Sequence, residues 1–174
     1  MNRYPPYPDA LIARILRSVK TIAMIGASAN EMRPSYFAMK YLSDKGFKIV
    51  PINPGVAGKE ILGQKVYAKL ADVPPPVDMV DIFRNSEAAG PIADEVIANK
   101  ERLGIRVLWM QLGVINEEAA KRAEAAGLTV IMNRCPKIEY GRLSGEIGWY
   151  GVNRRTVDNR KHAAFSSGGA LKRA

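Results

Sequence analysis

Thr21-Ile22-Ala23-Met24-Ile25-Gly26-Ala27-Ser28-Ala29-Asn30 is the stretch that decides the fold. Its first five residues are apolar apart from Thr21, and the run closes on a glycine. A short apolar run bounded by a turn signal reads as a strand buried on both faces. Small residues then lead to Arg33-Pro34. A proline at the first helical position is preorganised for a helix, so Pro34–Lys45 reads as one, with Gly46 as its stop. Strand, small-residue turn and helix together form the opening unit of a parallel α/β sheet.

The pattern repeats outward. Upstream, Leu11, Ile12, Ile15, Leu16 and Val19 recur at helical spacing, and Asp9 sits where the helix dipole favours a carboxylate, so a helix is expected over Asp9–Lys20. Downstream, strands are expected at Phe47–Ile52, Val77–Phe83, Ile105–Gln111 and Leu128–Met132. Residues 55–76 are a turn-rich connection. A helix is expected over Glu87–Leu103, with its regular part starting at Gly90-Pro91. Another follows the cap Asn116 and stops at Gly127. Alternating strands and helices, with strands apolar on both faces, imply a doubly wound, Rossmann-like parallel sheet of about five strands. The expected strand order is 3-2-1-4-5.

The chain has 174 residues, room for one domain, which we place at 1–145 with a basic Gly- and Arg-rich tail at 146–174. Apolar residues are 47% and charged residues 25%, an ordinary globular balance. No apolar run approaches a membrane span, and Met1–Pro8 lacks a signal-peptide core, so a cytoplasmic protein without membrane contact is expected. One cysteine excludes an internal disulfide, and one cysteine with one histidine disfavours a metal site. Net charge is +9; residues 151–174 hold six basic residues against Asp158 alone, so they supply +5 and leave +4 for the body. His162 lies in that tail and receives no catalytic role.

Ligands of open parallel sheets bind outside the carboxyl ends of the strands. After the first strand, Gly26, Ala27 and Ser28 allow backbone N–H groups to approach a phosphate, and Arg33 can pair with its oxygens. A tight turn alone would also explain Gly26. The full G-x-G-x-x-G fingerprint is absent, and the second strand ends in Asn53-Pro54 where a dinucleotide site would carry an acid. After the third strand come Phe83 and Arg84, able to flank a base or meet a phosphate; after the fourth comes Gln111, a polar residue at a strand end; after the fifth come Asn133 and Cys135. Phe83 as core and Cys135 as a small buried hydrophobe are the plainer alternatives.

Together Ile22–Ser28, Val50–Pro54, Asp78–Arg84, Leu108–Gly113 and Asn133–Cys135 resemble the CoA-binding domain family of small stand-alone proteins. That family is similar in fold to the CoA-binding domain of the succinyl-CoA synthetase alpha subunit. The resemblance covers roughly residues 10–145 and implies coenzyme A, or an acyl-CoA, as ligand. It brings no catalytic activity with it. It implies that Gly26, Ala27 and Ser28 cradle the pyrophosphate, with Arg33 and Ser35 behind them. Asn53 and Pro54 would border the nucleotide, Phe83 and Arg84 the adenine side, Gln111 the pantetheine arm, and Asn133 and Cys135 its thiol end. The chain departs from the family at Asn133, where an acid is common, and at Asn85, where a second basic residue is common. The synthetase's phosphohistidine has no counterpart. Reversible thiol pairing at Cys135 is a further expectation. An NAD(P)-dependent oxidoreductase and a nucleic-acid-binding module using the basic tail are the alternatives, and both are disfavoured, the second because no nucleic-acid motif is present. Pairing of copies into a homo-oligomer is left open.

Overall fold

The computed structural model describes residues 7–145. The basic tail expected at 146–174, with His162, lies outside them. The chain divides into two units: Val19–Cys135, and a smaller one whose described residues are 7–18 and 136–145.

The larger unit carries five parallel strands, β1 (Thr21–Ile25), β2 (Lys48–Ile52), β5 (Met79–Ile82), β6 (Val107–Met110) and β7 (Thr129–Ile131). Between β2 and β5 lies a two-stranded antiparallel hairpin, β3 (Glu60–Ile61) and β4 (Gln64–Lys65). Helices α2 (Pro34–Asp44), α3 (Ser86–Leu103) and α4 (Glu117–Ala125) alternate with the strands. Ile22, Met24, Met79, Val80, Ile82, Leu108 and Trp109 are fully buried, as strands covered on both faces require. The α/β Rossmann-like fold is therefore as the sequence implies.

The strand order is not. The sheet runs β2-β1-β5-β6-β7, which in chain order of the five strands is 2-1-3-4-5, not 3-2-1-4-5. The reason is at the outer edge of β2. Pro51 turns its carbonyl to that edge, where it accepts from the Tyr67 N–H at 3.0 Å, and Asn53 N–H donates to the Tyr67 carbonyl at 2.9 Å. The connecting segment therefore occupies the place a third strand would take. Proline has no N–H to give on that side, which suits an edge and not a central strand. The chain accordingly crosses to the other side of β1 and pairs there as β5. The crevice between diverging connections thus opens at the carboxyl ends of β1 and β5.

Two helix boundaries also differ from expectation. α3 starts at Ser86, with Pro91 inside it, because the Asn85 carboxamide accepts from Ala88 N–H at 2.8 Å and caps the helix ahead of the proline. The opening helix ends at Ser18, since Val19 and Lys20 already lead into β1.

At the opposite, amino ends of the strands, Asp78 accepts from Lys20 N–H (2.8 Å), Thr21 N–H (2.9 Å) and the Arg106 guanidinium (3.0 Å). Burial pulls its carboxyl up, but these donors outweigh it and hold the group below the ordinary value. Asp78→Ala leaves the N–H groups of the exposed Lys20 and the buried Thr21 without their acceptor. A loss of about 2 kcal/mol in urea denaturation is expected, and an unchanged midpoint would show that water replaces the carboxylate there.

In the smaller unit, α1 (Asp9–Ser18) and α5 (Pro136–Leu143) are joined by Arg142, which donates to both Asp9 oxygens at 2.9 and 2.7 Å and to Glu139 at 2.7 Å. The Arg142 hydrogen bonds hold the Asp9 carboxyl below its usual range. The sequence reading did not anticipate α5.

Candidate functional site

Gly26 follows β1 directly, at φ 90°, a conformation side chains disfavour. Its N–H donates to the Ile52 carbonyl of β2 at 3.0 Å, while Phe83 N–H, just past β5, donates to the Ile25 carbonyl at 2.8 Å. The residue is thereby wedged at the sheet's point of reversal. A Cβ there would overlap the Phe83 carbonyl oxygen and sit 3.0 Å from Cδ of Arg84. The Arg84 side chain therefore lies against the glycine, exposed at its outer side, with no acidic partner among the described residues.

Around this point the loop is held by its own side chains. Ser28 Oγ accepts from Asn30 N–H at 3.1 Å, and Asn30 Oδ1 accepts from Met32 N–H at 2.9 Å. Ala27 is buried, and its carbonyl accepts from Asn53 Nδ2 at 2.8 Å; Asn53 Oδ1 accepts from Gly55 N–H at 2.9 Å. Asn53 thus stitches the turn after β1 to the turn after β2, and Pro54 beside it is exposed. Arg33 occupies the N-cap position of α2 with no side-chain cap, whereas asparagines cap α3 and α4. That leaves the helix end open to solvent or an anion. Ser35, in its first turn, is buried.

An open groove of about 560 Å³ continues from Arg84 along the ends of β5 and β6, lined by Arg84, Asn85, Ser86, Glu87, Leu112, Gly113 and Val114. Ser86 braces it, donating to the Gly113 carbonyl at 3.3 Å and accepting from Ile115 N–H at 3.0 Å. Asn133, in the left-handed region at φ 54°, accepts from Gly113 N–H at 2.8 Å through Oδ1. The volume is in the range of small-molecule sites, and its walls combine the charged Arg84 and Glu87, the short polar Asn85 and Ser86, and the apolar Leu112 and Val114 around Gly113.

The CoA binding domain family matches residues 20–141, the span that contains this crevice and groove. The chain belongs to the CoA-binding domain family. Within it, 131 residues are 36% identical to the uncharacterised protein YneT of Bacillus subtilis, covering 75% of this chain and 93% of that one. The solved structure of a protein from Pyrococcus horikoshii OT3 superposes with TM-score 0.73 at 34% identity, over 82% of this chain and 98% of that one. A further 107-residue match, 34% identical, is to acetate–CoA ligase [ADP-forming] II of Archaeoglobus fulgidus; it spans 60% of this chain but 15% of the ligase. The domain is thus also a module of a much longer synthetase.

In this CoA-binding domain protein the twelve residues singled out from sequence fall into three groups. Gly26, Ala27, Ser28, Asn53, Pro54, Phe83 and Arg84 converge at the ends of β1, β2 and β5, with Arg33 and Ser35 at the start of the helix that follows β1. Asn133 and Cys135 lie past β7, at the far side of the groove, and Cys135 is half-buried. Gln111 turns inward. Its Nε2 donates to both oxygens of Asp81, at 3.3 and 3.1 Å, and it is 6% exposed. Asp81 was not foreseen. It is 0% exposed, in the middle of β5, and burial pushes its carboxyl up to about 8 against the opposing hydrogen bond from Gln111. The signal was present: an acid at the third of four strand positions in Met79–Ile82 has no solvent face to occupy. Among the described residues no helix is long and apolar enough to cross a membrane.

Proposed function

We propose that this chain binds coenzyme A or its acyl thioesters, without turning them over, in the crevice at the ends of β1 and β5. The observation that carries this reading is the apposition of Gly26 to Phe83 and Arg84: backbone is brought within reach of a phosphate, beside a guanidinium free to meet it. Family membership supports the ligand class. In this reading the pyrophosphate rests on Gly26, Ala27 and Ser28, with Arg33 and Ser35 at the open end of α2. Phe83 and Arg84 border the adenine. Asn53 and Pro54 shape the nucleotide end by fixing the turn. The pantetheine arm runs along the groove over Gly113, which Asn133 holds, towards Cys135. Gln111 acts from beneath, through Asp81 and the lip it leads into. The committed hydrogen bonds of Ser28, Asn53, Ser86 and Asn133 suit a cradle that is rigid before the ligand arrives, which lowers the ordering penalty of binding.

Calorimetric titration with CoA, acetyl-CoA and NAD tests it. CoA or acetyl-CoA binding is expected, with NAD at least tenfold weaker, because no carboxylate waits at the end of β2 for a ribose diol. Arg84→Ala removes one charge-assisted contact and is expected to weaken CoA about tenfold or more. Folded protein that gives no heat with either thiol ligand would end the reading.

A further inference from the structure

Most polar groups on the walls of the groove are already engaged. Asn85 Oδ1 accepts from Ala88 N–H at 2.8 Å, Ser86 Oγ spans the Gly113 carbonyl and Ile115 N–H, and Gly113 N–H is taken by Asn133 Oδ1 at 2.8 Å. Three lining side chains keep their full capacity. Arg84 and Glu87 are exposed and make no ion pair or side-chain hydrogen bond among the described residues. Leu112 is 55% exposed, a large apolar side chain more than half uncovered. Arg84 lies against Gly26 at the crevice, and Glu87 follows it in the segment after β5. Leu112 comes from the end of β6, one strand spacing of about 4.8 Å further on. Leading away from Gly26, the groove thus offers a cation, then an apolar surface and a carboxylate.

A ligand that answers this array carries an anionic group, then a compact branched apolar segment, then an N–H for the carboxylate. An adenine nucleotide alone lacks the second feature. The arm of CoA has all three in that order: a phosphate, a geminal dimethyl carbon and amide N–H groups. Resting on the CoA-binding reading, we propose that Leu112 and Glu87 are specificity residues for the 4′-phosphopantetheine arm, so that the ligand class is phosphopantetheine compounds and the adenine adds affinity without deciding recognition. Leu112 packs against the geminal dimethyl group, which covers apolar surface on both sides. Glu87 accepts from an amide N–H, a charge-assisted bond. Arg84 meets the phosphate that joins the arm to the nucleotide.

Calorimetric titration of the full chain with CoA, 4′-phosphopantetheine and adenosine 3′,5′-bisphosphate tests this. Phosphopantetheine is expected to bind about tenfold more tightly than the adenosine bisphosphate. Leu112→Ser should weaken CoA and phosphopantetheine about fivefold each and leave the adenosine bisphosphate within about twofold. Glu87→Met should weaken both arm-bearing ligands about tenfold, and Glu87→Gln, which keeps an acceptor oxygen, should recover most of that loss. Both positions are exposed, so the variants are expected to fold, and urea denaturation checks that they do. An adenosine bisphosphate that binds as tightly as phosphopantetheine overturns the inference. So do substitutions at Glu87 and Leu112 that leave CoA affinity unchanged; a shift of the urea midpoint alone would make Glu87 a residue for the dipole of α3. CoA binding that survives either result leaves the CoA-binding reading standing. Folded protein that binds none of the three ligands ends that reading and this inference with it.

Discussion

Gly26→Ala is expected to destabilise the protein by about 3 kcal/mol and to abolish measurable CoA binding. Two effects add. The residue's φ of 90° is strained for any side chain, which alone amounts to roughly 1–2 kcal/mol. The new methyl would also overlap the Phe83 carbonyl oxygen, a backbone atom fixed by the Phe83 N–H bond to Ile25. Relief requires β1 and β5 to part at their carboxyl ends, where the proposed phosphate cradle lies. Gly58→Ala is the control. Its φ is 81°, but nothing lies within 4 Å of a Cβ placed there, so only the conformational effect of roughly 1–2 kcal/mol is expected and CoA binding should survive. Urea denaturation and calorimetry of the two variants read both quantities. Equal losses in the two would mean that the crevice is pliable and that Gly26 is there for its backbone angle alone.

The comparison of these two glycines shows what a sequence can convey and where it stops. Gly26 was legible as a turn residue, and the small residues after it as a place where backbone could meet an anion. Its contact with Phe83 was not legible, because it depends on which strand lies beside β1. The order 3-2-1-4-5 would have set the first turn against the fourth strand, with Gln111 beside it. The observed order sets it against Phe83 and Arg84 and puts Gln111 one strand further away. The deciding residue was Pro51: a proline inside an apolar run marks an edge strand, and β2 can be at the edge only if the next strand goes to the far side of β1. Asp81 was legible in the same sense, as an acid where a doubly covered strand has no wet face. Its partner was not, because Gln111 reads equally well as a polar residue at a strand end awaiting a ligand. Periodicity locates elements and chemistry-bearing ends; pairing between strands, which is set by hydrogen-bond supply at particular backbone positions, determines which of those ends meet. Helix α5 escaped for a simpler reason. Eight residues with Gly141 inside give too short an apolar pattern to distinguish from a loop.

Asp81→Asn is expected to stabilise the protein at neutral and alkaline pH, by an amount that grows with pH. In the folded chain the carboxyl keeps its proton up to about pH 8, while in the unfolded chain it loses it near its ordinary 3.8. Between those values the folded state binds one more proton than the unfolded state, so stability from this group is fully present below the unfolded value. It is lost as pH rises through the folded one, by about 1.4 kcal/mol per pH unit. The window is wide enough for the total to reach several kcal/mol. Asparagine fills the same volume, accepts from Gln111 Nε2 and does not titrate, so it removes the whole dependence. The measurement is the difference between variant and parent in the free energy of urea unfolding from pH 4 to pH 9, which cancels every other group that titrates alike in both. That difference should climb through the interval and level off above pH 8. A difference constant with pH would mean that Asp81 is already ionised in the folded protein, with water reaching it past Gln111.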